Sequence, residues 1–235
     1  MVKRLFNIIN NEVRGLHEAA YLLAFFAFLS QILALVRDKL LTYSFGAGGI
    51  LDIYYASFRI PDLIFVSIAS IVSASVLVPF FIDKFQKDDD RGQRFIDNVF
   101  SAFFLVIVLI SIIAFFFIPL LLKILLPGFM NDPHLPELIV ATRILLFSPI
   151  FLGLSNFFSS ITQMHKRFLI YALSPVVYNF GIIIGIIFLY PIFGLYGLVW
   201  GVVLGAFLHM SIQIPFIIYK GVLPRIRWNI EWRSI

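Results

Sequence analysis

The chain alternates between long unbroken apolar runs and short polar stretches. The runs fall at about 19–36, 52–82, 98–122, 138–162, 168–190 and 195–219. A helix needs about twenty apolar residues to cross a hydrocarbon core, whereas a barrel strand shows a weak alternation over about ten. The expected fold is therefore an all-α integral membrane protein, a six-transmembrane-helix bundle over residues 19–219. Residues 1–18 mix Val2, Leu5, Phe6, Ile9, Val13 and Leu16 with charged positions. They read as an amphipathic segment lying along the membrane surface. Residues 220–235 read as a basic tail.

Within the apolar runs, a few polar residues share faces. On a helix, Ser30, Gln31, Arg37 and Asp38 fall at about 0°, 100°, −20° and 80°, one polar stripe. Asp52, Arg59 and Asp62 fall at about 0°, −20° and −80°, a second stripe. Two aligned ionisable stripes suggest a polar cavity between two helices. An ionisable residue inside a membrane span marks a functional site by default. The alternative for Arg37 and Asp38 is a membrane-edge position from which side chains snorkel to water. Lys39 takes that edge reading.

The run 52–82 is too long for one straight crossing of about 30 Å. Pro61 has no N–H, so the carbonyl of Ser57 loses its helical partner and a kink is expected beside Arg59 and Asp62. Broken helices at membrane depth line cavities. The glycines in FGAGG, 45–49, give a turn and no nucleotide loop, since no strand precedes them and no Lys follows. Residues 83–97, DKFQKDDDRGQRFID, read as a solvated loop. Gly181 and Gly185, and Gly197, Gly201 and Gly205, recur every four residues. They read as surfaces for close helix packing.

Composition sharpens the class. The chain has 235 residues, 61% of them hydrophobic and 13% charged. Soluble proteins average about 25% charged residues. It has no cysteine, which excludes disulfides and thiolate metal sites. The four histidines are scattered without ligand spacing, so neither a metal nor another cofactor is expected. No catalytic constellation is visible, so no enzyme is expected: there is no G-x-S-x-G and no H-E-x-x-H.

The sequence pI near 9.5 follows from membrane topology and does not call for nucleic acid. Thirteen Lys and Arg residues lie in the N-terminal tail, the 2–3 loop, the 4–5 loop and the C-terminal tail. The opposite side holds Arg37, Lys39 and Lys123. Positive loops stay in the cytoplasm, which places both termini there.

The run VRDKLLTYSFGAGGILDIYYASFRIPDLI resembles the first two helices of the MurJ/MviN lipid II flippases, within the multidrug and oligosaccharidyl-lipid exporter superfamily. Arg37-Asp38, Phe45 to Gly48, Asp52, Arg59 and Pro61-Asp62 carry the resemblance. LPGF at 126–129, SPVVYN ending at Asn179, GLVWGVVLGAFLHMSIQIP at 197–215 and VLPRI at 222–226 extend it along nearly the whole chain. The resemblance implies one lobe of a two-lobe flippase in the bacterial cytoplasmic membrane. It also implies a mostly cationic central cavity for an undecaprenyl-pyrophosphate-linked peptidoglycan precursor, moved by alternating access of the lobes. Arg37 would pair with the pyrophosphate and Arg59 would occupy a basic position. With Ser30, Gln31 and Asn179 they form the expected substrate-binding set. Asp38, Asp52, Asp62 and Pro61 take gating or helix-fixing roles. Membrane lipids and a second lobe of six to eight helices are the implied partners.

The chain departs from the family pattern where many members have Arg and this one has Gln31. It departs again at Ile64, Phe65 and Val66, where basic residues follow the K-L-P-N motif. Arg143 would return one of those charges. Members have about fourteen spans and this chain six, so residues 220–235 stand where a linker into a second lobe would begin. A fragment and a half-size protein with a partner lobe are both compatible with that length. Two other readings stay open: an exporter of another lipid-linked saccharide or of small cations, and a non-transporting membrane scaffold.

Overall fold

The structure, a computed structural model, describes residues 15–46, 48–69, 74–87 and 89–227. Most of the segment expected to be amphipathic, residues 1–14, lies outside them, as do residues 228–235 of the basic tail. The α-helices are named in chain order: α1 Leu16–Phe45, α2 Gly49–Ser57, α3 Arg59–Ala69, α4 Ala74–Lys87, α5 Asp89–Leu125 and α6 Leu135–Leu145. They continue as α7 Phe147–Met164, α8 Phe168–Ile184, α9 Tyr190–Phe193, α10 Leu195–Ser211 and α11 Ile214–Tyr219. Among the described residues there is no strand.

Among the described residues, five helical stretches are long and apolar enough to cross a membrane: His17–Phe45, Gly92–Leu125, Leu135–Met164, Phe168–Phe193 and Leu195–Tyr219. The sixth expected span, 52–82, is divided among α2, α3 and α4. Each of these is too short to cross alone. The first span runs well beyond its expected end at residue 36. No Gly or Pro interrupts residues 16–45, so the helix continues to Gly46, whose φ of 65° ends it. A residue in this left-handed region closes many helices. Arg37 and Asp38 consequently sit inside a continuous helix and not at its exit. Residues 83–97, expected to be a polar loop, are helical where described. They hold no proline, and polarity alone does not stop a helix from running on past the membrane.

Prolines follow three of the breaks between helices. A proline removes one N–H and crowds the carbonyl four residues earlier. The chain leaves the helix at Phe58, three residues before Pro61, and is helical again from Arg59. The same offset recurs at Leu146 before Pro149, and at Ile212 before Pro215. Pro119 lies within α5 and Pro175 within α8, where no break occurs.

Glycines decide how closely two of the spans approach. Gly181 of α8 faces Gly205 of α10, and Gly185 faces Gly201. A Cβ on any of the four would overlap backbone of the opposite helix. This is small-residue packing of the kind that replaces a hydrophobic drive inside lipid. The inner packing falls into three clusters, around Phe81, Phe157 and Ile161, around Leu41, Leu145 and Val202, and around Ile60, Ile118 and Leu138. Outward faces remain apolar, with Phe25, Phe28 and Phe116 between 62% and 70% exposed. A lipid-facing surface requires such a covering.

Two polar clusters tie helices together. Gln213 donates to the Ser155 hydroxyl and carbonyl, and accepts from Ser159 at 3.1 Å, which joins the end of α10 to α7. The segment after α11 has no regular structure and lies against α5. There the buried Asp97 carboxylate accepts from Gln93 at 2.9 Å, the Arg225 backbone at 3.0 Å and the Arg227 guanidinium at 3.1 Å.

Candidate functional site

Helix α1 carries Arg37 on the side that meets α8. The guanidinium is held by three contacts. Its Nε donates to Asp38 Oδ1 at 2.8 Å, and Nη2 approaches the same oxygen at 2.8 Å. Its Nη1 donates to Asn179 Oδ1 at 3.0 Å, across 142 residues of chain. Asn179 in turn donates to the Ser30 hydroxyl at 3.1 Å and to the Pro175 carbonyl at 3.1 Å. Residue 179 is the one whose backbone N–H normally claims the Pro175 carbonyl, so the amide side chain folds back along its own helix. Ser30, Arg37 and Asn179 therefore form one network in which Ser30 and Asn179 fix the arginine from behind.

Arg37 and Asp38 line a cavity of about 440 Å³ together with Leu41, Tyr54, Tyr55, Phe58, Arg59, Asp62, Tyr178 and Ile182. The two expected stripes thus meet on one cavity. The break at Phe58 turns the chain so that Tyr54 and Tyr55 of α2 and Arg59 and Asp62 of α3 all reach it. Tyr54 packs edge-on against Phe58, with centroids 5.0 Å apart. Pro61 is buried behind that break.

Other expected residues lie elsewhere. Gln31 is exposed and does not line the cavity. Asp52 lines a neighbouring pocket of about 360 Å³ with Asp132 and His134. Arg59 lines both pockets and so stands between them. Arg143, read as a charge returned to the cavity, does not line it. It faces a separate apolar groove between α5 and the α6–α7 junction.

The resemblance implies a mostly cationic cavity between two lobes; on the wall that this chain supplies, Arg37 and Arg59 stand beside Asp38 and Asp62. Formally the charges balance on this wall. A guanidinium has five N–H donors. Three of those on Arg37 are engaged. Two have no acceptor among the described residues, one on each Nη, on a residue that lines the cavity. The aromatic lining, Tyr54, Tyr55, Phe58 and Tyr178, was not singled out from the sequence. The Tyr54-Tyr55 pair beside Arg59, and Tyr178 beside Asn179, were the available signals.

Comparison with known proteins gives one consistent family. A family model described as lipid II flippase MurJ matches residues 41–235, a stretch that begins just after Arg37 and Asp38. The probable lipid II flippase MurJ of Buchnera aphidicola (subsp. Acyrthosiphon pisum) is 33% identical over 211 residues, covering 86% of this chain and 40% of that protein. The lipid II flippase MurJ of Burkholderia cenocepacia is 26% identical over 208 residues, covering 87% and 40%. A solved structure, lipid II flippase MurJ in an inward closed conformation, superposes with a TM-score of 0.75 at 26% identity, covering 90% of this chain and 44% of that one. The chain spans about 40% of the length of the relatives it matches.

Proposed function

The chain belongs to the lipid II flippase MurJ family, and from that premise we propose that it is the N-terminal lobe of a lipid II flippase. In this reading it is a multi-pass protein of the bacterial cytoplasmic membrane with both termini in the cytoplasm. It binds an undecaprenyl-pyrophosphate-linked peptidoglycan precursor and passes the headgroup across by alternating access against a second helical lobe. It carries out no bond-making chemistry.

The observation that carries the reading is Arg37 on the wall of the 440 Å³ cavity. A planar guanidinium grips a phosphate through two parallel hydrogen bonds, which an ammonium cannot do. Arg37 has one N–H on each Nη without an acceptor among the described residues, and Asn179 holds its plane in place. A pyrophosphate on those two N–H groups shares the charge of Arg37 with Asp38, which holds the Nε side of the guanidinium. Arg59 adds a second positive charge to the lining, and Tyr54, Tyr55 and Tyr178 offer flat surfaces to a sugar. Asp52 lies toward the neighbouring pocket, in keeping with a gating role there.

The balanced charge of the wall favours a second reading, an exporter of another lipid-linked saccharide that carries less charge. The test separates the two. Cells depleted of their own flippase are complemented with the native open reading frame containing this chain. Rescue of growth and of precursor export is expected, lost in Arg37→Ala and reduced in Arg37→Lys at matched expression. Normal growth with Arg37→Ala overturns the role of this residue. Failure of the unaltered frame to rescue favours the other substrate.

A further inference from the structure

Arg143 is a cation near the outer surface of the bundle that the cavity does not use. Its position follows from a proline in a different helix. Pro119 lies inside α5. It has no N–H to offer the Phe115 carbonyl, which is left without its helical donor. Arg143 takes that donor's place, its Nε donating to the Phe115 carbonyl at 3.3 Å. The guanidinium carbon also lies 4.9 Å from the centroid of the Phe115 ring, a cation–π contact. The guanidinium is thus pinned in orientation by two contacts with one residue. Its four Nη–H donors have no protein acceptor among the described residues.

The groove that Arg143 faces has a volume of about 250 Å³ and lies between α5 and the α6–α7 junction. Its walls include Phe116, Phe147 and Ile150. Phe116 is 70% exposed and Phe147 48% exposed, so the groove opens on the outer surface. One turn from Phe115, Ser111 lines the same groove. It is 4% exposed, and its hydroxyl has no hydrogen-bond partner among the described residues. An apolar slot with a pinned guanidinium and an unsatisfied hydroxyl is built for an amphipathic anion.

Depth points the same way. The span Leu135–Met164 has 30 residues. That is about 45 Å of helix against a core of about 30 Å. Centred, it overhangs by about 7 Å at each end, so Arg143, about 12 Å from Leu135, lies about 5 Å inside the core. The span Gly92–Leu125 has 34 residues. It places Phe115 at a similar depth, again about 5 Å inside. From there an arginine reaches the glycerol and phosphate level of a lipid.

We propose that this groove binds an anionic phospholipid of the leaflet that meets the α5–α6 loop. Its phosphate sits on the Nη groups of Arg143, an ester oxygen accepts from Ser111, and an acyl chain lies along Phe116, Phe147 and Ile150. The site shares no lining residue with the central cavity, so it is a separate place on the molecule.

The test is native mass spectrometry of the purified chain in detergent, titrated with phosphatidylglycerol or phosphatidylcholine. Phosphatidylglycerol is expected to bind about tenfold more tightly than phosphatidylcholine. Arg143→Gln should bring the two lipids within about twofold, while Arg143→Lys keeps part of the preference. Ile150→Trp fills the groove with the arginine intact and should remove binding of both lipids. Helical circular dichroism checks folding; if Arg143→Gln does not fold, the Ile150→Trp arm decides. An undiminished preference in Arg143→Gln, or undiminished binding in Ile150→Trp, overturns the site. Stronger binding of undecaprenyl phosphate than of phosphatidylglycerol, with the same dependence on Arg143, overturns the assignment to phospholipid.

Discussion

Arg37 Nη1 and Asn179 Oδ1 lie 3.0 Å apart, joining α1 to α8 at the edge of the central cavity. Asn179 also reaches Ser30 and Pro175, so one amide orients the arginine and docks its helix. Asn179→Leu keeps the size and removes these bonds. Transport is expected to fall about tenfold, consistent with losing one hydrogen bond to a charged group, typically about 1.5–3 kcal/mol. Amounts of folded protein should stay near the unaltered level. Precursor export in complemented cells measures it; unchanged export would mean that Asp38 alone orients Arg37.

Asp38 pairs with the same guanidinium charge that a pyrophosphate would use. Asp38→Asn keeps the shape and removes the competing charge. Binding of inorganic pyrophosphate to the purified chain, followed by calorimetry, is expected to tighten about fivefold or more. Weaker binding would show that the carboxylate serves to hold the fork in place.

The glycine contact between α8 and α10 tolerates no side chain. A Cβ on Gly201 meets the backbone of Gly185, which cannot move aside as a side-chain tip can. Gly201→Leu is expected to cost about 3 kcal/mol or to abolish folding. Gly128→Ala, where a Cβ meets open space, serves as the control and should be near neutral. Unfolding in mixed detergent micelles distinguishes them.

Asp97 is 1% exposed and anchors the segment that follows α11. Asp97→Ala leaves the Arg225 N–H without its acceptor, at a cost of about 1–3 kcal/mol. The Arg227 side chain is 41% exposed. An ion pair so open to water adds little. The expected result is faster tryptic cleavage after Arg225 and Arg227 with the rest of the bundle intact. Cleavage at the unaltered rate would sink the anchoring role.

The orientation in the membrane can be read directly, since the chain has no cysteine of its own. Gly128 and Lys166 are both exposed, at opposite ends of the α6–α7 span. A cysteine at 128 should react with an impermeant thiol reagent in intact cells, and one at 166 only after lysis. The reverse pattern would invert the topology drawn from the charge distribution.

The helical membrane class was legible in the chain alone, because runs of about twenty apolar residues have no other solution in lipid. So was one of the points where spans break: a missing N–H is a local chemical fact, and Pro61 announces the interruption at Phe58. The breaks before Pro149 and Pro215 were not, since nothing local separates those prolines from Pro119 and Pro175, where the helix runs on. The four-residue glycine spacing on residues 181–205 was legible, since helix geometry alone puts those positions on one face.

Which faces meet was settled by packing across the bundle. Hydropathy and periodicity show that a helix has a polar stripe, yet carry no information on its rotation against a distant neighbour. Ser30 and Gln31 are adjacent in the chain, but α8 packs where Asn179 reaches Ser30 and leaves Gln31 exposed. Arg143 carries the same charge as Arg37, and the packing of α6 against α5 turns it to the outer groove because the carbonyl freed by Pro119 lies there. The balance of two arginines by Asp38 and Asp62 likewise emerges only when α1 and α3 share a cavity. Pairing is a property of distances across helices, and those distances are set by side-chain volumes at contacts far apart in sequence.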